Sequence, residues 1–252
     1  MTGEPPAPAA DGAPLFLLDE LPDAPELLVA GAEGRHAVDV LRLAPGERVR
    51  VGDGRGTVAE GAVLEASGAG LRVRVTARQE LSVPDPEVVL VQALPKGDRG
   101  PLAVELATEL GADRIVPWAA SRCVVRWQDD RAEKGVSRWR AVARAAAKQS
   151  RRPRVPEVAD LASTREVCGL LGDADLAVVL HEQARRPLAG LDLPESGTVV
   201  VVVGPEGGLT DGEVTAFRAA GAHAVRLGPE VLRTSTAGAA ALAALSARSR
   251  WR

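Results

Sequence analysis

The sequence predicts a two-domain α/β protein: a small antiparallel β-barrel or sandwich, followed by an open α/β sheet. Three observations carry that prediction. Period-two alternation in the first third, as in Leu71-Arg-Val-Arg-Val-Thr76, marks half-buried antiparallel strands. Continuous apolar runs further on, Leu176–Leu180 and Thr198–Val203, suit parallel strands covered on both faces. Between these regions, Ser82-Val-Pro-Asp-Pro-Glu87 sets two prolines within three residues, which interrupts helix and strand alike.

Taken in order, residues 1–14 are rich in Pro and Ala, without a basic leader, and read as a flexible tail. Residues 15–81 make the β-domain, with strands at Arg48–Val51, Thr57–Leu64 and Leu71–Thr76 and one short helix at Gly34–Leu41. Residues 82–87 are the linker. From 88 to 252 strands alternate with helices, the signature of an α/β sheet. Strand Val88–Leu94 precedes a helix over Leu102–Leu110, closed by Gly111. Strand Arg114–Val116 precedes a helix capped by Ser137 and ending near Ser150. The two apolar runs then lead to a helix over Thr210–Ala220, a strand over Ala222–Leu227 and an Ala-rich final helix, Thr236–Ala247.

Composition narrows the function classes. With 252 residues and 46% hydrophobic side chains, the chain can bury a substantial core. Cys123 and Cys168 lack CxxC spacing and histidine neighbours, which argues against a disulfide framework or a zinc site and for a reducing, cytoplasmic setting. The longest apolar run is too short to span a bilayer. The net charge of −3 conceals an asymmetry: Arg122 to Arg154 holds eleven Lys/Arg against three Asp/Glu, a local +8. Within it Arg140, Arg144 and Lys148 are spaced four apart and form one helical stripe, which Arg151, Arg152 and Arg154 extend. A basic ridge of this kind suits a phosphate backbone.

Three turns after strands carry the chemistry. Val199-Val-Val-Val-Val-Gly-Pro-Glu-Gly-Gly208 runs from a buried strand into a glycine-rich turn. In open α/β sheets, ligands sit beyond such carboxyl ends. The segment lacks both the P-loop lysine and the GxGxxG dinucleotide fingerprint. Leu227-Gly-Pro-Glu-Val-Leu-Arg-Thr-Ser-Thr-Ala237 repeats the strand–turn–helix arrangement and sets Arg233 just before three hydroxyl residues. Helix capping accounts for the hydroxyls but not for the arginine. Leu180-His-Glu-Gln183 is the third turn. Three turns after three strands predict one shared pocket.

Together these segments resemble the SPOUT methyltransferases and, more narrowly, the ribosomal RNA small subunit methyltransferase E family of uridine-N3 methyltransferases. The resemblance extends along nearly the whole chain: His36-Ala-Val-Asp-Val-Leu-Arg42, Gly46, Asp53-Gly54, Leu94-Pro-Lys-Gly-Asp-Arg99, Glu109-Leu-Gly111, Ser121-Arg122 and Lys148-Gln-Ser-Arg151 follow the family's order. It implies a deeply knotted α/β domain behind a PUA-like RNA-binding barrel. It also implies a homodimer, S-adenosyl-L-methionine as cofactor, and 16S ribosomal RNA of the small subunit as partner. By resemblance the cofactor pocket comprises Leu180, His181 and Glu182, then Gly204, Pro205, Glu206, Gly207 and Gly208, then Leu227, Gly228, Val231, Leu232 and Thr236. No metal is implied.

The chain departs from the family pattern at Ser235, where glutamate is usual, at Leu106, where lysine is frequent, and at Pro229-Glu230, which replaces a more basic pair. Any role of that glutamate does not carry over. Arg233 is assigned the stabilisation of a developing uridine anion, and Glu206 the orientation or deprotonation of the base. RNA contacts are expected from Arg35, His36 and Arg42 on the barrel and from Arg122, Arg140, Arg144, Lys148, Arg151 and Arg152. The rival readings are a SPOUT enzyme acting on a ribose 2′-hydroxyl and a non-enzymatic RNA-binding assembly factor.

Overall fold

The computed structural model describes residues 12–128 and 130–251. The chain divides into two compact units, and the division is discontinuous. The first comprises residues 1–83 and 147–155, the second residues 84–146 and 156–252. The segment Ala147–Val155, which lies well beyond the 82–87 linker, thus groups with the β-domain.

In the first unit, period-two alternation becomes a five-stranded sheet in the order β1-β3-β4-β5-β2. Its strands are β1 (Leu15–Leu17), β2 (Glu26–Val29), β3 (Arg48–Gly52), β4 (Thr57–Ser67) and β5 (Gly70–Glu80). The long β4–β5 hairpin carries two register shifts, at Glu60/Gly61 and Val63/Glu65, which bend the sheet. Inward-facing Phe16, Leu27, Val29, Val49, Val51, Val63, Leu71 and Val73 form its core. The expected helix begins earlier, as α1 (Gly31–Arg35), and runs into one π turn over His36–Val40. No side chain caps its start at Ala30, so the sequence carries no boundary signal there. The expected tail falls mainly outside the described residues. Ala13 is already buried, and Pro14 C=O accepts from Arg50 N–H at 2.9 Å.

The 147–155 segment is tied into this unit by specific bonds. Val155 N–H donates to Gly54 C=O at 2.9 Å, and the Arg154 guanidinium donates to Leu81 C=O. Lys148 pairs with Glu33 at 2.9 Å.

The second unit is a six-stranded, fully parallel sheet in the order β11-β9-β10-β6-β7-β8. Its strands are β6 (Glu87–Ala93), β7 (Arg114–Trp118), β8 (Glu157–Val158), β9 (Leu176–Leu180), β10 (Thr198–Val203) and β11 (His223–Val225). The two apolar runs are β9 and β10, and both lie inside the sheet. From β6 the chain moves outward to β7 and β8, then resumes at β9 on the other side and places β10 beside β6. Such a reversal of strand order is where α/β sheets open a crevice.

The helices are α2 (Arg99–Glu109), α3 (Asp130–Gln149), α4 (Thr164–Gly172), α5 (Asp211–Ala219) and α6 (Thr234–Ser249). Helix α3 starts seven residues before Ser137. Asp130 and Glu133 complement its first turn, and Trp127 packs edge-on against Trp139 at 5.3 Å. Ser137 is an exposed residue within the helix. Helix α4 was not anticipated, although Ser163 and Glu166 close a capping box at its start. Helix α6 packs on α2, β6 and β10. Gly238 permits this approach, because a Cβ there would stand 3.2 Å from Leu90.

Candidate active site

The three strand-end turns open onto one cleft of about 840 Å³. Its walls include Leu180, His181 and Glu182 after β9, Gly204, Pro205, Glu206, Gly207 and Gly208 after β10, and Leu227, Gly228, Val231, Leu232 and Arg233 after β11. Turns far apart in sequence meet because parallel strands present all their carboxyl ends at one edge of the sheet. The volume lies within the range of small-ligand pockets. At positions 204, 207 and 208 no side chain enters that space, and Gly208 takes φ +70°.

Thr236 is the exception among the expected pocket residues. It is exposed, and its backbone N–H donates to Arg233 C=O at 2.8 Å. Thr234 and Ala237 line the cleft in its place. Residues three apart share a helix face, whereas a residue two positions on points away.

A buried polar chain holds the floor. Gln92, only 1% exposed, donates through Nε2 to Ala93 C=O at 3.0 Å and to Thr234 Oγ1 at 3.2 Å. Thr234 Oγ1 donates onward to Gly204 C=O at 2.5 Å. Thr234 is one of the three hydroxyl residues after Arg233, whereas Gln92 is not among the expected site residues. The available signal was a lone amide inside the apolar run Val88–Leu94, since a polar residue in a core strand needs a reason.

Glu206 reaches across to the loop after β6, where Lys96 N–H donates to its Oε1 at 3.1 Å. His181 Nδ1 accepts from Gln183 N–H at 3.2 Å, so the neutral ring carries its proton on Nε2. Arg99, Arg218 and Arg226 also line the cleft. Glu213, at the start of α5, is buried and accepts from Ser121 N–H and from Thr210 N–H and Oγ1, each at 2.8 Å. Burial raises its pKa, but these hydrogen bonds outweigh burial and hold the carboxyl below its ordinary value.

The expected RNA residues divide between the units. Arg35 and Arg42 are exposed on the first and His36 is half-buried. Lys148, Arg151 and Arg152 belong to the same unit, with Lys148 engaged by Glu33. On the second unit, Arg140 donates to Val158 C=O and to Asp160, each at 3.0 Å, and Arg144 is half-buried. Arg122 lies on the cleft wall, bound to the carbonyls of Gly207 and Leu209. The local excess of +8 is therefore partly neutralised within the fold. Among the described residues no cluster of metal-binding side chains occurs.

Known proteins share this arrangement. The family described as RNA methyltransferase domain matches residues 83–246, and RNA methyltransferase PUA domain matches residues 29–76. The chain is 47% identical to the ribosomal RNA small subunit methyltransferase E of Mycobacterium bovis, across 95% of this chain and 94% of that protein. Its counterpart in Bacillus subtilis is 32% identical across 90% and 92%. The crystal structure of the Neisseria gonorrhoeae enzyme of the same name, bound to S-adenosyl methionine, superposes with a TM-score of 0.81 at 29% identity, covering 94% of this chain and 98% of that one. A shared cleft at the ends of β9, β10 and β11, with full-length similarity on both units, places the chain in the ribosomal RNA small subunit methyltransferase E family.

Proposed function

We propose that this protein methylates N3 of a uridine in 16S ribosomal RNA of the small subunit, using S-adenosyl-L-methionine. The observation that carries this reading is the convergence of three strand-end turns on one cleft beside Arg233. The names of the relatives and the ligand of the gonococcal structure support it.

The cleft fits the cofactor. Gly204, Gly207 and Gly208 leave backbone open to a ligand, and Leu180, Leu227, Val231 and Leu232 supply apolar walls. When bound, S-adenosyl-L-methionine supplies an electrophilic methyl group on a sulfonium. N3 of uridine is protonated at neutral pH, so its proton must leave as the N–C bond forms and the S–C bond breaks. Arg233, exposed at the cleft wall, places a fixed cation where negative charge develops on the base. Glu206 has one oxygen held by Lys96 N–H and keeps Oε2 for orienting the base or taking its proton. Holding the two reactants in near-attack geometry contributes much of the rate. N3 must also be free of its pairing partner, so the target uridine is unpaired or flipped out.

RNA docks on Arg35, His36, Arg42, Arg151 and Arg152 of the PUA-like unit, with Arg144 on the methyltransferase unit. Arg42 and Arg151 adopt φ +53° and +57°, uncommon for a residue with a Cβ. Val231, 79% exposed, and Leu232 form an apolar edge to the cleft that a second copy of the chain covers in a homodimer. No described helix is long and apolar enough to cross a membrane. The enzyme works in the cytoplasm, a reading supported by relatives named for a ribosomal RNA substrate. The same reading has the last helix tuck through a loop in the family's knot, and the close packing of α6 on α2, β6 and β10 supports it.

The test is methylation of purified small subunits with labelled S-adenosyl-L-methionine, followed by nucleoside analysis. The expected product is 3-methyluridine. A label on a ribose oxygen, or no incorporation, overturns the reading.

A further inference from the structure

The loop that brings three glycines to the cleft is gripped by one guanidinium. Arg122 Nη1 donates to Gly207 C=O and to Leu209 C=O, both at 3.1 Å. The approach depends on a missing side chain, since a Cβ at position 207 would stand 3.1 Å from Arg122 Cβ and 3.2 Å from Arg122 C=O. Arg122 is itself fixed. Ser121 N–H donates to Glu213 at 2.8 Å, and Arg126 donates to Ala120 C=O at 3.1 Å and to Ser121 C=O at 2.8 Å. Glu213 also closes the capping box of α5 through Thr210, so one buried carboxylate ties the Arg122 loop to the helix that follows the glycine turn.

We propose that Arg122 is a positioning residue for the cofactor loop and not an RNA phosphate contact. This rests on S-adenosyl-L-methionine being the ligand of the cleft. Hydrogen bonds from a cation to carbonyls are stronger than neutral ones. Two of them, to carbonyls two residues apart, fix the peptide planes on either side of the Gly208-Leu209 pair. A loop held in its binding shape loses less freedom when the ligand arrives, and affinity rises accordingly. Lysine, a point charge without the planar fork, reproduces the grip only in part. The residue pattern around Arg122 looks like a nucleic-acid contact because it begins the basic stretch, yet its Nη1 is engaged by two carbonyls of the glycine loop.

The experiment compares the full-length wild type with Arg122→Ala and Arg122→Lys. In ligand-free protein, hydrogen exchange at Gly208 N–H, which donates to Pro205 C=O, should be about tenfold faster in Arg122→Ala and intermediate in Arg122→Lys. The amides of β10 should keep their protection. By calorimetry, affinity for S-adenosyl-L-methionine should weaken about tenfold in Arg122→Ala and less in Arg122→Lys. Affinity for small-subunit RNA, and its salt dependence, should stay within about twofold of wild type.

Unchanged exchange at Gly208 overturns the proposal. So does unchanged cofactor affinity with a salt slope reduced by about one, which would make Arg122 a phosphate contact. Should the wild type bind no S-adenosyl-L-methionine, the reading of the cleft fails instead, and the exchange data alone decide the clamp. Should Arg122→Ala lose β10 protection as well, Arg122→Lys decides.

Discussion

The strand-end turns of the methyltransferase unit and the basic stretch of α3 dispose of their polar groups in opposite ways. At the turns, segments separated by about twenty residues bring their side chains and bare backbone to one cleft. Along α3, cations two helical steps of four apart go to separate partners, Arg140 to Asp160 and Lys148 to Glu33, and those partners belong to different compact units. The lesson is topological. A parallel sheet must deliver all its carboxyl ends to one edge, so ligand-facing turns accumulate there whatever their spacing in the chain. A helix stripe imposes no such convergence, and each long side chain takes the nearest acceptor.

The largest effect that would break this comparison concerns Arg233. If the cleft is a single catalytic site, Arg233→Ala should lower kcat for RNA methylation by about a hundredfold while leaving S-adenosyl-L-methionine affinity within about twofold. Single-turnover kinetics and calorimetry read the two quantities separately. Unchanged turnover would remove Arg233 from the reaction.

A smaller effect sharpens the comparison on the basic side. Removing a cation that meets phosphate should lower the salt slope of RNA binding by about one, and removing one already paired within the fold should not. Arg35→Ala and Arg151→Ala are therefore expected to reduce the slope, and Lys148→Ala to leave it. An equal reduction for all three would mean that the Lys148–Glu33 pair opens to RNA and that the stripe acts as one surface.

The smallest effect is a pH dependence. The folded pKa of Glu213 lies below its ordinary value of 4.5, so its carboxylate stabilises the fold fully above that value. The contribution disappears as pH falls below 4.5 and through the lower folded pKa. Wild type should therefore melt a few degrees above Glu213→Gln near neutrality, with the gap narrowing in acid. A gap that is constant down to the acid limit would show that the charge of Glu213 does not hold the Ser121 loop to α5.

Much of the second unit was legible in the residues. Leu176–Leu180 and Thr198–Val203 are strands with those bounds, because a run of β-branched and aliphatic side chains has few alternatives in a sheet covered on both faces. The helix expected over Thr210–Ala220 is α5, and of the two residues at its start Thr210 is the cap, in a capping box with Glu213. Other elements lack strong local signals. Strands β1 and β2 have three and four residues and owe their existence to partners in β3 and β5. The start of α3 depends on a tryptophan pair that sequence spacing does not reveal. Thr234 rather than Thr236 faces the cleft because the helix begins two residues earlier than its alanine run suggests.

By itself the sequence determined the composition of the site: which segments carry glycine, which carry Arg233, and that they follow buried strands. Those properties are local, set by backbone freedom and apolar periodicity. Only the tertiary structure decided which polar atoms remain for a ligand. A hydrogen bond or ion pair depends on what lies within about 3 Å in space, and the folding that sets Arg122 on the Gly207–Leu209 carbonyls also sets Lys148 on Glu33. Charge can be counted along a chain, but its neutralisation is fixed by long-range packing.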